Sequence, residues 1–268
     1  MEQTPPTQDF QPETPLPPAM SLAGRMTSVI AAPSEAFEAV KNSPPCAANW
    51  LAPALLLILI SWIGTAIVFS QPAINQQFME VTDQAMQKQF EKSNVPPEKA
   101  EQARQMGERL ALVGVKVSAG ILPVLVGFVG PFVWGFFLWI IGAKAFNGGF
   151  TYMKAVEAVG LANVIVALEA VVRTLLVLSL NNVYATPSLA LLVIKGFDPQ
   201  NTLHGLLSVV NVMTFWLLAA RSIGLARLGN ISFAKAAACV FGIWLAYTGF
   251  FIGLGAAVKA VMSRANGS

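Results

Sequence analysis

Five long apolar stretches constrain this chain more than anything else in it. They are Leu51–Ser70, Val117–Ala143, Val156–Leu180, Leu203–Ala220 and Ala236–Val258. Each approaches or exceeds the roughly 20 residues, at about 1.5 Å rise per residue, that cross a hydrocarbon core about 30 Å thick. Within a bilayer every backbone N–H and C=O needs an internal partner, so such stretches must be helical. Hydrophobic residues make up 55% of the chain and charged residues 12%, against roughly 25% charged in a soluble domain. The sequence therefore predicts an all-α fold, a polytopic membrane bundle of five transmembrane helices with the lipid bilayer as its surroundings.

The remaining composition excludes several function classes. The net charge is only +3, and the basic residues flank the spans, as Lys144, Lys154, Arg221, Arg227 and Lys235 do, which is their usual place in membrane proteins. No basic patch marks a nucleic-acid surface. Cys46 and Cys239 are far apart, without CxxC spacing, and His204 is the sole histidine, so neither a His-based zinc motif nor a Cys/His metal site is expected. No serine sits in a nucleophile elbow, and no Walker loop occurs. The nearest approach to GxGxxG, at Gly253 and Gly255, has Val258 where the third glycine belongs. No cofactor and no enzymatic activity are expected.

Punctuation along the chain divides it. Residues 1–20 hold six prolines, three acids and no base; they cannot bury enough apolar surface to offset ordering entropy and read as a disordered tail. Residues 21–46 read as two short amphipathic helices interrupted at Pro33-Ser34, lying at the membrane surface. Residues 47–262 form the membrane domain, and residues 263–268 a short tail. Between the first two spans, residues 71–116 carry six basic and six acidic residues on helix-forming sequence. They are expected to form an extramembrane helical hairpin with its tip at Ser93–Pro97. Span two contains Pro123 and Pro131, each expected to kink it.

Four of the five stretches contain no charge, and the third carries Glu169 and Arg173 near its middle. An ionised group at that depth costs at least about 2.5–3.5 kcal/mol unless paired or hydrated. The two are four apart with the acid first, the better order for a helical ion pair. Asn211 is expected at comparable depth in span four, completing a polar network, with Glu157 and Arg221 forming a second contact at one membrane face. A paired clamp between spans three and four fits this spacing better than a substrate or proton pathway, which needs further titratable groups. In the last span Ala238, Gly242, Ala246, Gly249, Gly253 and Ala257 fall on one helix face. Such a stripe of small residues lets another helix approach closely, and packing within the monomer is the default expectation for it.

Two blocks resemble the Yip domain family, the Ypt/Rab-interacting membrane proteins and their prokaryotic relatives. The first is VIAAPSEAFEAVKNSPPCAANWLAPALLLILI (Val29–Ile60), an amphipathic entry followed by a span opening on Trp and Pro. The second runs from FTYMKAVEAVGLAN (Phe150–Asn163) to TFWLLAARSIGLARLGNISFAKAAACVFGIW (Thr214–Trp244), where a span ending in Ile-Gly-Leu is followed by Ser-x-x-Lys-Ala. Departures are the long polar connection and the lack of a proline after Gly160-Leu-Ala. The resemblance to a prokaryotic-type member implies five helices, a cytoplasmic N-terminus in the inner membrane and no known catalysis. In a eukaryotic setting it implies contact with a small GTPase. A non-enzymatic membrane-organising or partner-binding protein, whose partner is another membrane protein or a second copy, is the leading functional expectation. A small transporter, or a transporter's membrane subunit, using Glu169 and Arg173 is the alternative.

Overall fold

The computed structural model describes residues 20–93, 97–199 and 201–265. The Pro-rich tail, the centre of the expected hairpin tip and the last three residues lie outside these. Helix α1 (Leu22–Ala31) begins where the Ser21 hydroxyl accepts from the Gly24 N–H at 3.1 Å. Helix α2 (Pro33–Lys41) opens on Pro33, whose missing N–H costs nothing in a first turn. The apolar sides of this amphipathic pair, through Val29, Ala36, Phe37 and Val40, are fully buried in one core with Leu161, Ile165 and Ala220.

Helix α3 (Ala48–Phe69) is the first candidate span. Helices α4 (Pro72–Ser93) and α5 (Pro97–Val124) pack against each other as a hairpin, joined by a bidentate pair in which Arg104 Nε and Nη2 donate to Asp83 at 3.2 and 2.7 Å. Beyond Val124 the chain winds through a wide π-type turn (Leu125–Val129), helix α6 (Gly130–Trp139) and a second wide turn (Ile140–Ala145). The kinks expected near Pro123 and Pro131 fall on either side of the first wide turn, an irregularity of the kind that accompanies a missing donor, within the apolar span Leu110–Ala145.

Helices α7 (Tyr152–Ala162) and α8 (Val164–Leu180) meet at Asn163 and make the third span, closed by Asn181 in the left-handed conformation. A 3₁₀ segment (Leu189–Gly196) and short helix α9 (Thr202–Val209) follow, then α10 (Val212–Gly229) and α11 (Phe233–Ala265).

The fourth span differs from the hydropathy expectation. It begins at Val212 rather than Leu203. Asn201 precedes the apolar run and Asn211 divides it: their side chains accept from the N–H groups of Leu203 and Met213, at 2.9 and 2.8 Å, each capping a separate helix. Backbone bonds from Leu189 to Val210 and from Val212 to Pro187, at 3.0 and 3.1 Å, then tie the turn between them. Averaged hydropathy passes over a cap that a single side chain creates.

Helix α3 runs beside α7–α8 at close range. A Cβ on Gly160 would overlap the Trp50 side chain, and one on Gly64 would overlap the Thr174 hydroxyl. Gly127 and Gly135 likewise let α3 and α7 approach the second span, with Ala54 at 3.3 Å and Val156 at 3.0 Å from where a Cβ would stand. These small residues set the packing distances of the bundle.

The α11 stripe behaves otherwise. Helix α11 packs on α10 through Ala236 and Val240, with Phe241 and Trp244 against Phe215. Ala238, Gly242, Ala246, Gly249, Gly253 and Ala257 are all exposed, and nothing lies within 4 Å of a Cβ built on Gly242, Gly249 or Gly253. Among the described residues nothing packs on this face as expected, because the docking of α10 is made by the opposite side of the helix.

Gly160→Val is expected to lower stability by about 1–3 kcal/mol through overpacking, read as an earlier thermal unfolding midpoint in mild detergent. Gly249→Leu should shift it by less than about 0.5 kcal/mol.

Candidate functional site

Two polar regions occupy opposite halves of the bundle. The first lies at the face carrying the N-terminal helices. Glu157, 1% exposed, stands in the second turn of α7, where it accepts from Asn49 Nδ2 at 2.6 Å and from Lys154 Nζ at 3.3 Å. Asn49, in the first turn of α3, accepts in turn from Arg25 of α1 at 3.1 Å. Lys154 also donates to the carbonyls of Val40 and Pro44, at 2.8 and 3.1 Å. It thereby satisfies a C-terminal carbonyl of α2 with a cation, where the helix dipole favours one. Lys41 Nζ donates to Asn230 Oδ1 at 2.6 Å and ties the same end of α2 to the turn after α10. One carboxylate thus links α1, α2, α3 and α7.

Arg221 of α10 is buried beside this layer, but its partner is not Glu157. It donates to Asn163 Oδ1 at 3.2 Å, and its guanidinium lies 4.5 Å from the centre of the Trp134 ring, a cation–π contact that replaces some lost hydration. The expected Glu157–Arg221 contact is absent: Asn49 and Lys154 both donate to Oε2 of the carboxylate, and the guanidinium is engaged by Asn163 and Trp134 instead. Glu157 Oε1, Arg25 Nε, Arg221 Nε and Trp50 Nε1 are buried without a protein partner.

The second region contains the other half of the expected network. Glu169 Oε1 accepts from Asn211 Nδ2 at 2.6 Å, so those two residues do meet. Asn211 does so as the N-cap of α10 rather than from mid-span. Arg173 acts on this contact only as a nearby charge: among the described residues no hydrogen bond joins it to Glu169, and no ion pair within 4.0 Å. The Asn211 amide takes the carboxylate, and Arg173 stays exposed. Both line a cavity of about 420 Å³ bounded by α3, α5 and α8. On the side of the N-terminal helices the cavity stops at Leu57 and Val166. Below it Trp50 stacks edge-on against Phe132, ring centres 5.1 Å apart, and presses on Gly160. The cavity therefore reaches from the far side to mid-depth without crossing the bundle.

At the far side the Tyr184 hydroxyl has its pKa pushed up, by burial first and by Asp198 second. Its ring stacks on Phe197, which stacks on His204, and His204 Nδ1 accepts from the Asp198 N–H at 2.9 Å. The histidine is thus held in a structural turn. Among the described residues no group of His, Cys, Asp and Glu has the arrangement of a metal site.

Sequence reasoning found Glu157, Glu169, Asn211 and Arg221 but missed Arg25, Asn49 and Asn163. A polar residue between Ala48 and Trp50, in the first turn of an apolar span, was the available signal for Asn49. Arg25 carried none, since amphipathic helices ordinarily hold solvated arginines. Glu157→Leu is expected to destabilise the protein by about 3–5 kcal/mol, because it strands a buried Lys154. Limited proteolysis that cleaves α1–α2 faster in the variant provides the measurement.

The Yip1 domain family model matches residues 27–255. Comparison with curated proteins and with solved structures gives no match.

Proposed function

Starting from a chain that belongs to the Yip1 domain family, an integral, multi-pass membrane protein, we propose a non-enzymatic role. It binds another membrane protein, or a second copy of itself, through α11. One observation carries this reading: the exposed face of α11, with the small stripe from Ala238 to Ala257 next to exposed Leu245, Tyr247, Phe250 and Phe251. Between membrane helices the association free energy comes from close packing rather than from escape from water. A face of glycine and alanine with aromatic rings at its edge can receive a helix at short range. Gly64, Gly127, Gly135 and Gly160 of the first three spans are packed against other helices, whereas Gly242, Gly249 and Gly253 meet nothing within 4 Å among the described residues.

The N-terminal helices support the same reading from the other direction. Held by Glu157 and Lys154, they form with α10 and the start of α11 a groove of about 960 Å³ lined by Glu35, Glu38, Lys41, Arg227 and Asn230. With the N-terminus in the cytoplasm, a soluble partner such as a small GTPase in a eukaryotic-type setting would meet this charged groove. The transporter alternative is weaker, because the cavity at Glu169 ends at mid-depth.

Gly249→Leu combined with Gly253→Leu tests the proposal. Cysteine cross-linking or affinity capture in native membranes should recover a reproducible partner, or a dimer, with the parent chain. The variant should lose that signal at an unchanged unfolding midpoint. Equal recovery from both would remove α11 as the docking element.

A further inference from the structure

The cavity beside Glu169 carries chemistry that partner binding leaves unused. Trp50 meets Gly160 and Gly64 meets Thr174, the same sequence offset in both contacts, so α3 and α7–α8 run parallel in constant register. That register sets Arg173 level with Ile63, between Ser61 and Thr65 of α3. Ser61 and Thr65 are one turn apart on one face, and both line the cavity together with Arg173. Among the described residues neither hydroxyl has a hydrogen-bond partner, nor does the Arg173 guanidinium, whereas the Thr174 hydroxyl donates to the Ala170 carbonyl at 2.8 Å. Three donors from two helices thus converge at one depth.

The carboxylate one turn further in makes no hydrogen bond to them: its Oε1 takes the Asn211 amide, and it acts on Arg173 only as a nearby charge. The rest of the wall is apolar: Leu57, Val68, Leu122, Val126, Val166 and Val177. Leu122 and Arg173 are exposed and mark the mouth between α5 and α8 as facing lipid. A volume of about 420 Å³ falls within the roughly 300–1,000 Å³ of ordinary ligand sites. A guanidinium with hydroxyl donors matches a phosphate, and apolar walls opening sideways to the bilayer match an acyl chain.

We propose that this cavity binds a membrane phospholipid, its phosphate held by Arg173, Ser61 and Thr65 and one acyl chain lying along α3 between α5 and α8. The lipid enters sideways from the leaflet opposite the N-terminal helices, since Arg173 lies about 10 Å below the end of α8 on that side. It does not cross, because the bundle is closed beneath Leu57. The site is separate from the α11 face and does not depend on what docks there.

Native mass spectrometry of the full chain in mild detergent, titrated with phosphatidylglycerol, tests the site. The parent protein and Lys235→Gln should each retain one lipid. Arg173→Gln should weaken retention at least about tenfold, the loss of one charge-assisted hydrogen bond, and the Ser61→Ala, Thr65→Val double variant should weaken it severalfold. Because Arg173 is exposed, its replacement leaves the fold intact, and Ala119→Phe, which fills the cavity, should abolish retention independently. Equal retention by the parent and Arg173→Gln proteins would overturn the proposal. So would equal loss in Lys235→Gln, or displacement of the lipid by millimolar inorganic phosphate, which would make this a free-anion site.

Discussion

A carboxylate taken wholly out of water costs several kcal/mol unless neighbours replace its hydration, and Glu157 has given up all but 1% of its exposure. What replaces water there comes from elsewhere in the chain: the Asn49 amide from the first span, and Lys154 one turn back on α7. Each partner is itself committed, Asn49 to Arg25 and Lys154 to the last carbonyls of α2. The helix order on this face follows from that single demand. Apolar packing between α2, α7 and α10 supplies most of the contact, but hydrophobic contact is non-directional. The polar layer is what selects one seating of α1 and α2 among the many that would bury Phe37 and Val40.

The two halves of the bundle differ as a consequence. On the side of Glu157 the helices close tightly, with Trp50 against Gly160 and Ala54 against Gly127. On the far side α5 diverges from α8, leaving the cavity with Arg173 and Glu169. There the chain adds a 3₁₀ segment and α9 instead of a longer span, so irregular backbone lies near the membrane. It is tolerated because its groups pair internally, as Asn182 does with the Ile194 carbonyl at 3.1 Å. Helix α11 belongs to neither half. It leans on α10 by one side and leaves its narrow face open.

Much of this was legible in the sequence. Span length and apolarity gave the number of crossings and four of their positions, because the bilayer imposes a helix length that needs no tertiary information. Pro33 and Ser34 gave the break between α1 and α2. The Glu169–Asn211 contact was also within reach, since both residues are polar in apolar surroundings at matching depth. Pairing was not. Glu169 with Arg173, and Glu157 with Arg221, were the obvious couples by charge and spacing, yet Asn211 meets Glu169, and Asn49 together with Lys154 meets Glu157. A neutral side chain gives no charge signal, and its reach depends on which helices lie adjacent. The start of span four was hidden for the same reason, since Asn211 caps a helix within a run that hydropathy averages as continuous.

The central claim is that Asn49 and Glu157 act as one unit joining the first and third spans. A double-mutant cycle in mild detergent measures it directly, using Asn49→Ala, Glu157→Gln and their combination, with unfolding free energies read for all four proteins. The geometry predicts a coupling of at least about 1 kcal/mol, as for residues sharing one buried network. Additivity within about 0.3–0.5 kcal/mol would contradict it, and would mean that apolar packing alone seats the N-terminal helices.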